Sequence, residues 1–345
     1  MGLMAAYFLS KSGRKCVVYE SGNAILEHAA SYVAGGMLAP YCELDGTEKL
    51  IGDLGIDALD LWRDIARELG ADIGYQENGS LVVAHGSDAS ELDRFAHKVK
   101  IAGGGEGLKL VYGEEIDALE PALAGRFRRG FFVRREGQVN PRFLMPVLQN
   151  FLIKQGIEFH FNTETSILDS TRLRVNGQTL TYDWMIDCRG LGAVADKPDL
   201  RGVKGEIIII ETPEIKFSRP VRLLHPRYPI YIIPRANNRF LIGATSIENE
   251  NNNGVTVRSG LELLSAAYSL HPVFGEARIA ELNSNLRPAY SDNLPRIDVN
   301  ATLLSANGLY RHGYLLAPKI AQELSRFVAT GAPSNQYPEI FEVAA

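Results

Sequence analysis

The segment Asn307-Gly308-Leu309-Tyr310-Arg311-His312-Gly313-Tyr314-Leu315-Leu316-Ala317-Pro318 joins a glycine-punctuated loop to the start of a helical pattern. Amides left free at a helix start, with the positive end of the helix dipole, favour an anion or the electron-rich edge of a ring. Arg311 adds a fixed cation there. Small residues recur in Ser31-Tyr32-Val33-Ala34-Gly35-Gly36-Met37-Leu38-Ala39-Pro40, where a planar ligand and its phosphates can approach the backbone and its exposed amides. A third stretch runs from Gly2 through a helical pattern and a basic turn to a short strand ending at Glu20. That is the order of the second half of a dinucleotide fingerprint, whose last glycine permits close helix–sheet packing and whose acid accepts ribose hydroxyls. Residue type alone also allows plainer readings: a helix cap, a glycine-rich turn, and a helix followed by a strand.

Holding these stretches in place requires a scaffold, and the patterning predicts one. A helix over Gly2–Ser12, stopped by Gly13, leads to a strand over Cys16–Tyr19. Helical periodicity returns over Leu54–Leu69 and Asp88–Ile101. Asn140-Pro141 is an N-cap followed by proline at the first helical position, predicting a helix to Lys154 halted by Gly156. Strands follow at Phe159–Leu168, Leu173–Val175 and Thr179–Asp187, the last two joined by an Asn176-Gly177 hairpin turn. From Gly205 the texture changes. Glu206–Glu211, Tyr228–Pro234 and Arg239–Ala244 are β-branched and aromatic, which predicts an antiparallel sheet in a second domain. Glu248–Gly254 reads as an exposed polar loop, Arg258–Leu270 as a helix, Asn283–Arg287 as a strand, and Pro318–Val328 as a final helix.

Composition narrows the function classes. The 345-residue chain, 46% hydrophobic and 22% charged, can bury a sizeable core and suits about two domains. Its net charge of -5 and lack of a basic tract argue against nucleic-acid binding. Cys16, Cys42 and Cys188 are widely spaced, with no CxxC or Cys/His cluster, so no metal site is expected. No apolar run approaches the roughly 18 residues of a membrane span, and the first residues lack the order of a signal peptide. These features predict a cytoplasmic chain with no membrane association.

The ordered segments SYVAGGMLAP, VKGEIIII, YIIPR, LIGAT, LRPAYSDNLPRI and NGLYRHGYLLAP resemble the glycine oxidase (ThiO) branch of the FAD-dependent D-amino-acid oxidase superfamily, from Gly2 to about Phe327. The resemblance implies an α/β fold: an FAD-binding Rossmann-like domain interleaved with an α+β substrate domain containing an antiparallel sheet. The expected division is 1–45, 140–204 and 296–345 for FAD binding, and 46–139 and 205–295 for the substrate domain with connecting helices. It implies FAD as cofactor and oxidative deamination of glycine, with sarcosine or small D-amino acids as neighbouring substrates. Hydride passes to flavin, O2 is reduced to H2O2, and the imine supplies thiamine thiazole synthesis, with handover to thiazole synthesis enzymes and a homo-oligomer left open.

Residue roles follow from the matching motifs. Arg287 in LRPAY matches the family's substrate-carboxylate arginine, a role suited to the bidentate guanidinium fork. Tyr231 in YIIPR matches a tyrosine on the same carboxylate, and Arg311 an arginine between flavin and substrate. Gly2, Glu20, Ser31, Gly36, Met37, Cys188, Gly190, His312, Gly313, Leu315 and Leu316 are the expected cofactor-binding residues, with Gly2 as the last fingerprint glycine and Glu20 on the adenosine ribose. No dedicated general base is required, because the amine lone pair stabilises the developing iminium. Against this pattern, the first strand and first two fingerprint glycines are missing. The alternative is therefore a flavin-deficient, catalytically inactive truncated remnant or a mis-started reading frame. A nicotinamide dehydrogenase is a third reading, without evident catalytic residues.

Overall fold

The computed structural model describes residues 1–343. Its largest element is a sheet of eight strands in the order 278–289, 201–211, 239–243, 230–235, 221–224, 80–84, 129–133 and 108–112. Neighbours pair antiparallel except Val221–Leu224 with Ser80–Ala84, which run parallel. The strands predicted from Gly205 onward form one half of it, with 278–289 at the edge, and the near-continuous burial of 201–211 explains the isoleucine run: Ile208 and Ile210 face one apolar cluster, Ile207 and Ile209 another. The helix Val257–Leu270 covers the first of these faces, capped at Thr256, whose side chain accepts from the Ser259 amide.

The remaining strands form smaller sheets. Val17–Tyr19 pairs parallel with Glu158–His160, while Met185–Asp187, Leu303–Asn307, Arg296–Asn300 and Phe341–Val343 form a four-stranded sheet. Met37–Leu38 pairs antiparallel with Gly137–Gln138. Helices Gly2–Lys11, Lys49–Leu69, Pro141–Lys154 and Gly313–Thr330 share one apolar cluster with these strands. The helix cap read from Asn140-Pro141 is present, with Asn140 Oδ1 accepting from the Arg142 amide at 3.1 Å.

Several boundaries differ from the sequence expectations for identifiable reasons. The stretch Phe159–Leu168 is two short strands, broken where Asn162 takes a left-handed conformation (φ 51°). The strand around Asn283–Arg287 extends over Arg278–Ala289 because its whole length pairs with Arg201–Glu211. The last helix starts at Gly313 and runs through Pro318. Proline there cannot donate to the Tyr314 carbonyl four residues back, and the Trp62 indole N–H fills that place at 2.9 Å.

The three cysteines are free, Cys42 buried and Cys16 and Cys188 half-buried. Among the described residues no helix is long and apolar enough to cross a membrane, and no group of His, Cys, Asp and Glu could hold a metal ion.

Candidate active site

One cavity of about 1660 Å³ runs between the small sheets and the large one. The helices Gly2–Lys11 and Gly313–Thr330 both bring their N-terminal residues to its wall, and neither has a side-chain cap. Their first-turn amides are therefore available to a ligand rather than to the protein. Glu20 ends the strand beside the first helix, and its Oε1 accepts from the Gly22 amide at 2.7 Å. Ser31, Gly36 and Met37 also line the cavity. Gly36 has φ 62°, and a Cβ there would lie 2.3 Å from the Val139 carbonyl, so this turn requires glycine.

At the large sheet, Arg287 and Tyr231 come from strands separated by two others, 201–211 and 239–243. Room for both is made by glycines. A Cβ at Gly205 would lie 2.3 Å from the Arg287 Cζ, and one at Gly243 would lie 2.9 Å from the Tyr231 ring. Arg287 Nη1 donates to the carbonyls of Thr245 at 3.0 Å and Lys204 at 3.4 Å. Its Nη2 and Nε have no protein acceptor among the described residues, and no carboxylate pairs with it there. Burial draws its pKa downward, the direction expected of a desolvated cation. Burial likewise pushes the Tyr231 phenol up, so its hydroxyl stays protonated and able to donate.

Arg311 has a different setting. Its Nη2 lies 3.5 Å from Glu43 Oε2, and the same oxygen is 3.3 Å from His312 Nδ1. Burial favours the neutral form of Glu43. The Arg311 guanidinium, then His312, Arg222 and Arg287, outweigh that and hold the carboxyl below its usual range. His312 moves the other way: burial, reinforced by Arg311 and Arg287, lowers its pKa to about 4 despite Glu43. It is a neutral imidazole at neutral pH, and both ring nitrogens lack hydrogen-bond partners. Tyr310 extends the rim, its hydroxyl 2.9 Å from Ser246 Oγ.

The cavity gathers Gly2, Glu20, Ser31, Gly36, Met37, Cys188, Gly190, Tyr231, Arg287, Arg311, His312, Gly313 and Leu315 onto one wall system. Leu316 is the exception. It is fully buried in the helical core, because successive helix positions point about 100° apart and Leu315 takes the cavity side. Sequence reasoning missed Glu43, Thr245, Ser246 and Tyr310, which also line the cavity. Tyr310 sits inside NGLYRHG and Thr245 inside LIGAT, so both were within reach; Glu43 carries no local signal.

The two uncapped helix starts, the glycine turn at Gly36 and the unpartnered nitrogens of His312 fit an extended dinucleotide with a planar ring at the large-sheet end. The comparisons agree. The family model "FAD dependent oxidoreductase" (DAO) matches residues 1–326. The chain is 42% identical over 342 residues to a putative thiamine biosynthesis oxidoreductase ThiO from Rhizobium etli, covering 97% of this chain and 96% of that one. It is 28% identical to a bifunctional protein ThiO/ThiG of Trichormus variabilis, over 87% of this chain and 47% of that protein. The crystal structure of glycine oxidase from Geobacillus kaustophilus superposes with a TM-score of 0.82 at 26% identity, covering 95% of this chain and 91% of that one.

Proposed function

The chain belongs to the FAD dependent oxidoreductase family, DAO, in its glycine oxidase/ThiO branch, and we propose that it oxidises glycine to its imine, with sarcosine and small D-amino acids as neighbouring substrates. It is an FAD-dependent enzyme. In this reading O2 takes the electrons as H2O2 and the imine feeds thiamine thiazole synthesis, consistent with the names of the ThiO and ThiO/ThiG relatives. Segments 1–45, 140–204 and 296–345 serve the cofactor, and 46–139 and 205–295 the substrate.

The observation that carries the proposal is the open edge of Arg287: a desolvated guanidinium with Nη2 and Nε unused, beside the cavity-facing Tyr231. An amino acid offers the matching carboxylate, which the fork takes in two parallel bonds while Tyr231 donates a third. Arg287 and Arg311 against the single carboxylate of Glu43 leave this wall net positive, which lowers the pKa of a bound ammonium and favours its neutral amine. FAD supplies the two-electron acceptor for the hydride leaving the α-carbon. The nitrogen lone pair forms the C=N bond as the hydride departs, and the nitrogen proton leaves to solvent. Gly2 and the first turn of its helix hold pyrophosphate, Glu20 the ribose, and Ser31–Met37 with His312–Leu315 the flavin edge.

The test is anaerobic mixing of the FAD-loaded protein with glycine, sarcosine and D-alanine, followed by peroxide measurement in air. Bleaching of the flavin absorbance with peroxide formed in air is expected for glycine. A loaded protein bleached by none of the three overturns the proposal.

A further inference from the structure

Lys204 and Glu206 form a buried ion pair that the chemistry above does not use. Their side chains are 6% and 0% exposed, with Nζ 2.7 Å from Oε1. Such pairs seldom add stability over apolar residues of similar size, because desolvating both charges offsets their attraction. Their connections suggest another use. Both residues alternate with Gly205, which lies beside Arg287, so their side chains leave the strand on the face away from the cavity. There they grip both ends of the segment Thr245–Thr256.

At the near end, the Glu206 amide donates to Thr245 Oγ1 at 3.0 Å, and that hydroxyl donates to Glu206 Oε2 at 3.4 Å. At the far end, the Thr256 amide donates to Glu206 Oε1 at 3.1 Å, and Lys204 Nζ donates to the Gly254 carbonyl at 2.6 Å. Between them, the Lys204 and Ile247 backbones exchange two hydrogen bonds, at 2.9 and 3.0 Å. The two carbonyls that fix Arg287 Nη1 belong to Thr245 and Lys204. Both residues whose carbonyls accept from the arginine are therefore in this clamp, and Ser246, next in the chain, makes the rim contact with Tyr310.

We propose that Lys204 and Glu206 are positioning residues for substrate-carboxylate recognition, holding Thr245 so that the free edge of Arg287 faces the cavity. The proposal rests on the reading of Arg287 as the carboxylate ligand. Loosening the clamp lets Thr245 move and the guanidinium swing, so carboxylate affinity falls more than the rate of a correctly bound molecule does.

The probe is acetate, which carries the carboxylate without an oxidisable amine, titrated into FAD-loaded protein and followed by the flavin visible spectrum. Glu206→Gln and Lys204→Met are expected to raise the acetate Kd and the glycine KM by about tenfold, the effect of losing one well-placed hydrogen bond, with kcat changed much less. Lys204→Met/Glu206→Met, which strands no charge, should show the same weakening even where a single variant folds poorly. Arg287→Met separates the two ideas. Acetate binding lost in Arg287→Met but unchanged in the folded clamp variants overturns the clamp alone. Acetate binding that survives Arg287→Met overturns the carboxylate reading and the clamp with it.

Discussion

Arg287 and Arg311 reach the same cavity and are held in opposite ways. Arg287 is fixed by neutral carbonyls from two neighbouring segments, which orient it without cancelling its charge. Arg311 faces Glu43 across 3.5 Å, and that carboxylate raises its pKa ahead of every other influence. Carbonyl partners leave a buried cation in need of an anion, whereas a carboxylate partner supplies one. The first arrangement suits a site that recognises a charged ligand, the second a wall whose field is set in advance. The same contrast appears in their surroundings: Gly205 leaves room for Arg287 where a Cβ would collide with it, while Arg311 lies against the Glu43 carboxylate that also contacts His312.

The contrast fails most visibly if Arg287 proves replaceable. Arg287→Ala should lower kcat/KM for glycine by about 10³-fold, as for removing one partner of a buried charge pair, and Gly205→Ala should approach this by displacing the guanidinium. Steady-state peroxide assays of both variants measure the effect; a loss below tenfold in Arg287→Ala would place the carboxylate elsewhere.

A somewhat smaller effect concerns the support beneath Glu43. Glu136 is fully buried, accepts the Cys42 amide at 2.7 Å, and is pushed by burial up to about 7 from 4.5, against the opposing bond from Cys42. Its folded-state pKa is raised, so the folded protein holds this proton from pH 4.5 to 7 while the unfolded chain has lost it. Stability is retained below pH 4.5 and falls as pH rises toward 7, by about 3 kcal/mol for this group. Glu136→Gln should therefore stabilise the protein by that order at pH 8 and lose its advantage below pH 4.5, as read by denaturant unfolding at the two pH values.

Arg311→Met strands Glu43, and adding Glu43→Gln should restore part of the lost stability, with a coupling of about 1–3 kcal/mol in a double-mutant cycle. Zero coupling would mean that the pair is not what distinguishes this wall. Tyr231→Phe sharpens the other side: a rise of about tenfold in glycine KM with little change in Tm is expected for the loss of one hydrogen bond to a charged group.

What was legible in the sequence follows the range of the interactions involved. Asn140-Pro141 and Asn176-Gly177 specify their structures locally, and both occur as read, the latter with φ 47° and 82°. The passage of a helix through Pro318 depends on Trp62, 252 positions from the carbonyl it covers, and no local rule carries that information. The strands at 80–84, 108–112 and 129–133 joined the large sheet without an expectation of their own. At the site, motifs that keep a residue beside its glycine, such as Gly313 after Arg311, were visible. Glu43 was not, since it matters only through a contact with a residue far along the chain.

The helix Gly2–Lys11 completes its packing against the helix Gly313–Thr330, with Ser325 Oγ donating to the Phe8 carbonyl across 317 positions. During synthesis at about 5–20 residues per second, the first helix waits roughly 15 to 60 s for that partner. Both uncapped helix starts that face the cavity come into register only then. In the proposed arrangement, with the cofactor across both helix starts, loading therefore follows the docking of these two helices rather than the folding of either alone.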